Sequence, residues 1–135
     1  MSDPAPAPYG VTFDLRVDPA RRLIHATLGG VPSPEDIGWI AEEVRAAILS
    51  LGADAGRHRT LYDARGVTVL PQAATDMALR NLRGDAPQIW ADRLAFVAAT
   101  VLTRRQLRRI AEARPGAAVF DDLDTALAWL LREED

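Results

Sequence analysis

TLYDARGVTVL, residues 60–70, is the stretch on which the fold of this chain turns. It is mostly apolar rather than alternating, as expected of a strand buried on both faces at the centre of a sheet. Pro71 follows at once and opens a helix predicted to run to about Leu82. A buried strand feeding directly into a helix is the building unit of a parallel sheet.

Working toward the N-terminus, residues 53–58 read as a polar loop. Ahead of it, Ser33-Pro34-Glu35-Asp36 gives a helix start: a capping serine, proline at the first helical position, and acids at the positive end of the dipole. Ile37, Ile40, Ala41, Val44, Ile48 and Leu51 follow at helical spacing, and Gly52 ends the helix. Earlier still, Val11, Phe13, Leu15 and Val17 alternate with polar residues. RLIHATLGG (22–30) follows the turn Asp18-Pro19-Ala20-Arg21, so a hairpin is predicted. Toward the C-terminus, Gly84-Asp85-Ala86-Pro87 breaks the second helix. RLAFVAATVL (93–102) is predicted as the most hydrophobic strand, Thr103 as the cap of a third helix, Ala117–Phe120 as a short strand, and Asp121/Asp122 as the cap of a last helix. The predicted order is β-β-α-β-α-β-α-β-α: an α/β fold with a mixed, mostly parallel five-stranded sheet covered by about four helices and joined by right-handed crossovers.

The 135 residues fit one domain, placed at 10–132 behind a Pro-rich leader at 1–9. The chain has no cysteine, and its 16 basic residues are all arginine. Thiolate nucleophiles, Cys-ligated metals, Schiff bases and Walker A loops are thereby excluded, and no cofactor is expected. A net charge of −3, evenly spread, argues against nucleic acid as a partner. No apolar run approaches the ~20 residues of a membrane span. The stretch MSDPAPAPYG lacks the basic and apolar regions of a signal peptide, so a cytoplasmic location is expected.

The element order, the internal aspartate of LYDARGV ahead of a helix, and the C-terminal AVFDDLDTALAWL together resemble the STAS-like family, which includes anti-sigma-factor antagonists and the cytoplasmic tails of sulfate transporters. The resemblance covers roughly residues 10–132; AVFDDLDTALAWL looks like the ending of proteins in a bacterial branch of the family. It implies a non-enzymatic, regulatory domain read by protein partners. Phosphorylation-regulated members begin the helix after the third strand with Asp-Ser-x-Gly, the serine being the switch. Here that stretch is Leu70-Pro71-Gln72-Ala73-Ala74, without a hydroxyl, so the phosphoserine switch does not carry over.

Nucleophilic catalysis requires a hydroxyl or thiol beside an oriented base. His25 on a strand and His58 in a loop show no such partner, and no G-x-S-x-G elbow is present. Asp121, Asp122 and Asp124 read as helix-capping acids. Asp63 interrupts an apolar strand and either faces solvent or pairs with Arg65 or a neighbouring loop. On the third helix Arg104, Arg105, Arg108 and Arg109 fall within about 140° on the wheel, opposite Leu107, Ile110 and Ala111. They form either a solubilising face or a docking patch, with Thr103, for an acidic or phosphorylated partner. Trp39 lies about 160° from the apolar stripe of the first helix. It is expected either to be covered by the leader or to form a self-association or partner contact, which would make the protein a homodimer.

The resemblance implies a non-enzymatic protein-interaction domain whose contact zone is the 66–75 segment and the third helix, where partners read members of the family. The alternative is a small-molecule or lipid-like ligand held at the carboxyl rim of the sheet by Asp63, Arg65, Thr68, Gln72, Thr75 and Thr100, since ligands of parallel sheets bind outside the strands' carboxyl ends.

Overall fold

β1 (Thr12–Asp18) and β2 (Leu23–Gly30) form the predicted hairpin, paired antiparallel from Thr12↔Gly29 to Asp18↔Leu23. The computed structural model describes residues 11–84 and 86–132. The proposed leader and the terminal Glu133-Glu134-Asp135 lie outside the described residues. After the hairpin come α1 (Pro34–Leu49), β3 (Arg59–Val67), α2 (Gln72–Gly84), β4 (Arg93–Val97), α3 (Val101–Ala111), β5 (Ala117–Phe120) and α4 (Leu123–Leu131). The sheet order is β1-β2-β3-β4-β5, with every pair after the hairpin parallel, so β3 is central.

The period-two alternation of the strands sorts side chains onto two unequal faces. Ile24, Ala26, Leu28, Ala64, Leu94 and Phe96 belong to the larger core, which they share with Ile40 and Val44 of α1, Leu79 of α2, and Leu107 and Ile110 of α3. Leu23, Leu61, Ala95 and Val97 point the other way, onto Ala126 and Leu130 of α4. Among the described residues three helices therefore cover one face, and α4 alone covers part of the other.

The start of α1 is a reciprocal capping box. Ser33 Oγ accepts from the Asp36 N–H at 3.0 Å, and the Ser33 N–H donates to Asp36 Oδ2 at 2.8 Å. The end of α4 is held differently. Arg93, buried in β4, sends Nη1 to the carbonyls of Trp129 at 2.7 Å and Arg132 at 2.9 Å, while its guanidinium carbon lies 5.7 Å from the Trp129 ring centroid. A cation brought by a neighbouring strand thus satisfies the carbonyls that a helix C-terminus leaves without intrahelical partners.

Three boundaries differ from the sequence reading. β3 ends at Val67, short of the predicted Leu70, and residues 68–70 form the connection to α2. β4 ends at Val97 rather than running to residue 102, because Thr100 adopts an extended conformation (φ −113°, ψ 154°) and its side chain caps α3. Thr103 is therefore not the cap. It is fully buried in the first turn, where its N–H donates to Thr100 Oγ1 at 3.1 Å. The apolar run simply continues from strand into helix. Its last members, Val101 and Leu102, are 63% and 54% exposed.

Candidate functional site

The carboxyl rim of the sheet is formed by the ends of β3 and β4 and the segments that follow them. Gln106 of α3 binds both backbone groups of Leu70: its Nε2 donates to the carbonyl at 2.6 Å and its Oε1 accepts from the N–H at 3.1 Å. The Thr68 N–H donates to the Gly30 carbonyl at 3.0 Å, tying the same segment to the end of β2. The β3–α2 connection is thus fixed on one side by a strand end and on the other by α3.

α3 presents Arg105, Arg108 and Arg109 to solvent. Arg104 leaves that face, a correction to the reading of four arginines on one solvated surface. It is partly buried, and its Nη1 donates to the Ala98 carbonyl at 3.1 Å, closing the loop between β4 and α3. Val101 and Leu102 stand at the head of the helix, so the rim combines exposed apolar side chains with guanidinium groups.

The other rim residues do not converge on one pocket. Asp63 shares the α4 face of the sheet with Leu61 and is 4% exposed. Arg65 grips it with both arms of the guanidinium fork, Nε to Oδ1 at 2.8 Å and Nη2 to Oδ2 at 2.7 Å. These hydrogen bonds outweigh the desolvation of the carboxylate, holding the Asp63 pKa below its usual range and raising that of Arg65. Of the two outcomes foreseen for Asp63, the structure has the pairing. The Thr75 hydroxyl is buried and turns back to the Pro71 carbonyl at 3.3 Å. Gln72 donates to Asp76 at 2.9 Å, and Thr100 Oγ1 is occupied in capping. Thr68 is exposed.

An apolar cavity of about 90 Å³ lies between the sheet and α1–α3, lined by residues including Val44, Tyr62, Leu70, Ala78 and Phe96. None of the six residues proposed for a rim pocket lines it. Sequence reading missed this cavity because its lining carries no signal beyond that of an ordinary core.

Trp39 is not exposed as the wheel suggested. It packs edge-on against Phe13 of β1, with ring centroids 5.2 Å apart and planes at 72°. The antiparallel hairpin extends the sheet beneath α1 and supplies a partner that a wheel drawn on one helix cannot contain.

The two histidines are withdrawn from solvent to different degrees. His58 is fully buried, and its Nδ1 accepts from the Gly56 N–H at 3.1 Å. His25 faces Arg16 across the hairpin. Desolvation holds both imidazoles below their ordinary pKa, although nearby Asp92 in one case and Asp63 in the other act against it. At α4, Asp122 is the cap. Its carboxylate accepts from the N–H groups of Asp124 and Thr125, and the hydrogen bonds from Thr125 lower its pKa.

This order of elements, with a hairpin edge, three parallel strands and a single helix on the second face, recurs in solved structures. A protein of the DUF3478 family with a SpoIIAA-like fold, from Shewanella loihica, superposes with a TM-score of 0.62 at 20% identity, over 96% of this chain and 98% of that one. The chain has the STAS-like, or SpoIIAA-like, fold. An anti-sigma factor antagonist from Mycobacterium paratuberculosis matches with a TM-score of 0.57 at 18% identity, over 93% of this chain and 97% of that one. SpoIIAA in its unphosphorylated form matches at 0.58 and 12% identity, over 87% and 95% of the two chains. No protein-family model and no curated protein matches the sequence. The expected STAS-like architecture therefore stands on shape, across nearly the whole chain. No helix among the described residues is long and apolar enough to cross a membrane.

Proposed function

We propose that this STAS-like domain is a non-enzymatic, cytoplasmic protein-interaction module, read by its partner at the 66–75 segment and α3, and that it works without a phosphoserine switch. The observation that carries this is the paired hydrogen bonding of Gln106 to Leu70, which makes the β3–α2 segment and α3 one continuous, pre-organised surface. Exposed Val101 and Leu102 beside Arg105, Arg108 and Arg109 give that surface the mixture of apolar and guanidinium contacts typical of protein interfaces. Superposition on two anti-sigma factor antagonists supports a regulatory role. The burial of His58 and the engagement of Asp63 by Arg65 support the absence of an acid–base centre. Trp39, packed on Phe13 and only partly buried, supplies a smaller surface for self-association than a fully exposed ring would.

A second reading, the carriage of a small apolar ligand, rests on the cavity beneath α2. At about 90 Å³ it is well short of ordinary ligand pockets, which run to about 300–1,000 Å³. A lipid-like ligand would require the helices over the cavity to move outward.

Affinity capture from cell extract with wild type, Leu102→Asp and Arg105→Glu/Arg109→Glu tests the first reading. The variants should keep the fold by circular dichroism and lose the captured partner. Unchanged capture by both would sink the proposal.

A further inference from the structure

We propose that the open cleft between α2 and α3 binds a short acidic segment of the partner protein, gripped from both sides by arginines. The inference deepens the interaction reading and rests on it. α2 contributes Asp76, Arg80, Arg83 and Gly84 to the walls, α3 contributes Arg109 and its C-cap Glu112, and Leu79 lies in the floor; the cleft encloses about 600 Å³. Arg105 and Arg108 lie within one turn of Arg109. Arg80 and Arg83 took no part in the surface read from the sequence, where only α3 stood out.

Arg80, Arg83, Arg105, Arg108 and Arg109 are all exposed. Among the described residues none of the five is in an ion pair, although acids stand within reach on the same helices. Asp76 sits four residues before Arg80, a favourable spacing for a helical pair, yet its carboxylate accepts from Gln72 instead. Three guanidinium groups, Arg80, Arg83 and Arg109, thus line the cleft with two carboxylates, and Arg105 and Arg108 flank it on α3, on a chain whose net charge is −3.

That contrast selects the occupant. An extended polyanion such as nucleic acid or an anionic bilayer would also meet the exposed Glu35, Glu42 and Glu43 of α1 in the same helical layer. A short acidic segment senses only charges within about one Debye length, roughly 8–10 Å. From Arg105 to Glu112 the α3 wall runs about 10 Å at 1.5 Å per residue, the reach of about three extended residues. Carboxylates suit the arginine forks, and an apolar side chain between them would lie over Leu79.

The test uses the peptide Glu-Glu-Leu-Glu-Glu, labelled with fluorescein, and anisotropy at low salt. Saturable binding is expected. It should weaken about tenfold, the worth of two reversed exposed charges, in Arg80→Glu/Arg83→Glu and again in Arg105→Glu/Arg109→Glu, and be unchanged in Arg16→Glu, on the edge strand β1 and outside the cleft lining. Absence of binding, or equal binding by the Arg80→Glu/Arg83→Glu variant, would overturn the proposal. Binding of a single-stranded oligonucleotide or phosphatidylserine vesicles in place of the peptide would overturn it too. Partner capture lost with Leu102→Asp but retained with Arg80→Glu/Arg83→Glu would keep the interaction module and remove the acidic segment from it.

Discussion

Gln106 and Leu70 are joined by a closed pair of hydrogen bonds, side-chain amide to main-chain amide, between α3 and the segment that follows β3. Leu70 is 5% exposed, so water cannot readily replace either bond. Gln106→Ala should leave a buried N–H and C=O without partners, at a cost of about 1–3 kcal/mol. Chemical denaturation measures the loss, and faster amide hydrogen exchange at Leu70 locates it. Wild-type stability and exchange in Gln106→Ala would show that the contact carries no weight.

Asp63 and Arg65 are an unequal couple: the carboxylate is buried and the guanidinium half in water. Removing the cation should therefore cost more than a surface pair does, because it strands a desolvated charge. Arg65→Met is expected to lose about 1.5–3 kcal/mol, and Asp63→Asn/Arg65→Met to recover part of it. A double variant no more stable than Arg65→Met at neutral pH would contradict this. The Asp63 pKa is lowered in the fold, so its contribution is full above the unfolded value of about 3.9 and is lost as pH falls through the folded one.

Arg93 predicts where the domain frays. Replacing it with Met keeps much of the buried stem but removes the donor to the carbonyls of Trp129 and Arg132. Amide exchange in the last turn of α4 should accelerate by at least tenfold while the α1–α3 face stays protected. Uniform acceleration over the whole chain would mean that Arg93 supports the sheet and not the helix end.

Acid should weaken the fold well before the carboxylates titrate. Burial lowers the pKa of His58 in the folded state, so below about 6.5 the unfolded chain binds more protons than the folded one. Stability is thus full above that value and declines as pH drops through it, by at most about 1.4 kcal/mol per pH unit for one such group. Denaturation midpoints between pH 7.5 and 5 measure the slope. His58→Asn keeps an acceptor for the Gly56 N–H and should flatten the profile; an equally steep profile would assign the effect elsewhere.

The sequence carried the architecture where a signal was local. Ser33 with Asp36, the turn at Asp18-Pro19, and the apolar run that begins at Thr60 each specify a conformation within a few residues, although that strand ends at Val67 and not at Leu70. It misplaced the end of β4, because Ala98 to Leu102 stay apolar while the backbone passes from strand to helix, and hydrophobicity does not record that change. The surface was harder to read. Arg104 is diverted to the Ala98 carbonyl, and Trp39 finds Phe13, through tertiary neighbours that no helical wheel contains. Arg80 and Arg83 were legible only one at a time; the packing of α2 beside α3 gives them company.

The cleft between α2 and α3 is lined by guanidinium groups without a single amine. A guanidinium stays protonated at every pH at which the domain is folded, and it offers no site for acetylation or ubiquitination. The strength of any ionic contact made there is consequently beyond the reach of acyl-transfer enzymes and of cellular pH acting on this chain. Ionic strength can adjust it, and so can chemistry on the partner, such as phosphate added to the segment that enters. If the cleft takes the acidic segment proposed, the charge on its own arginines stays constant, and changes of charge in that contact come from the other molecule.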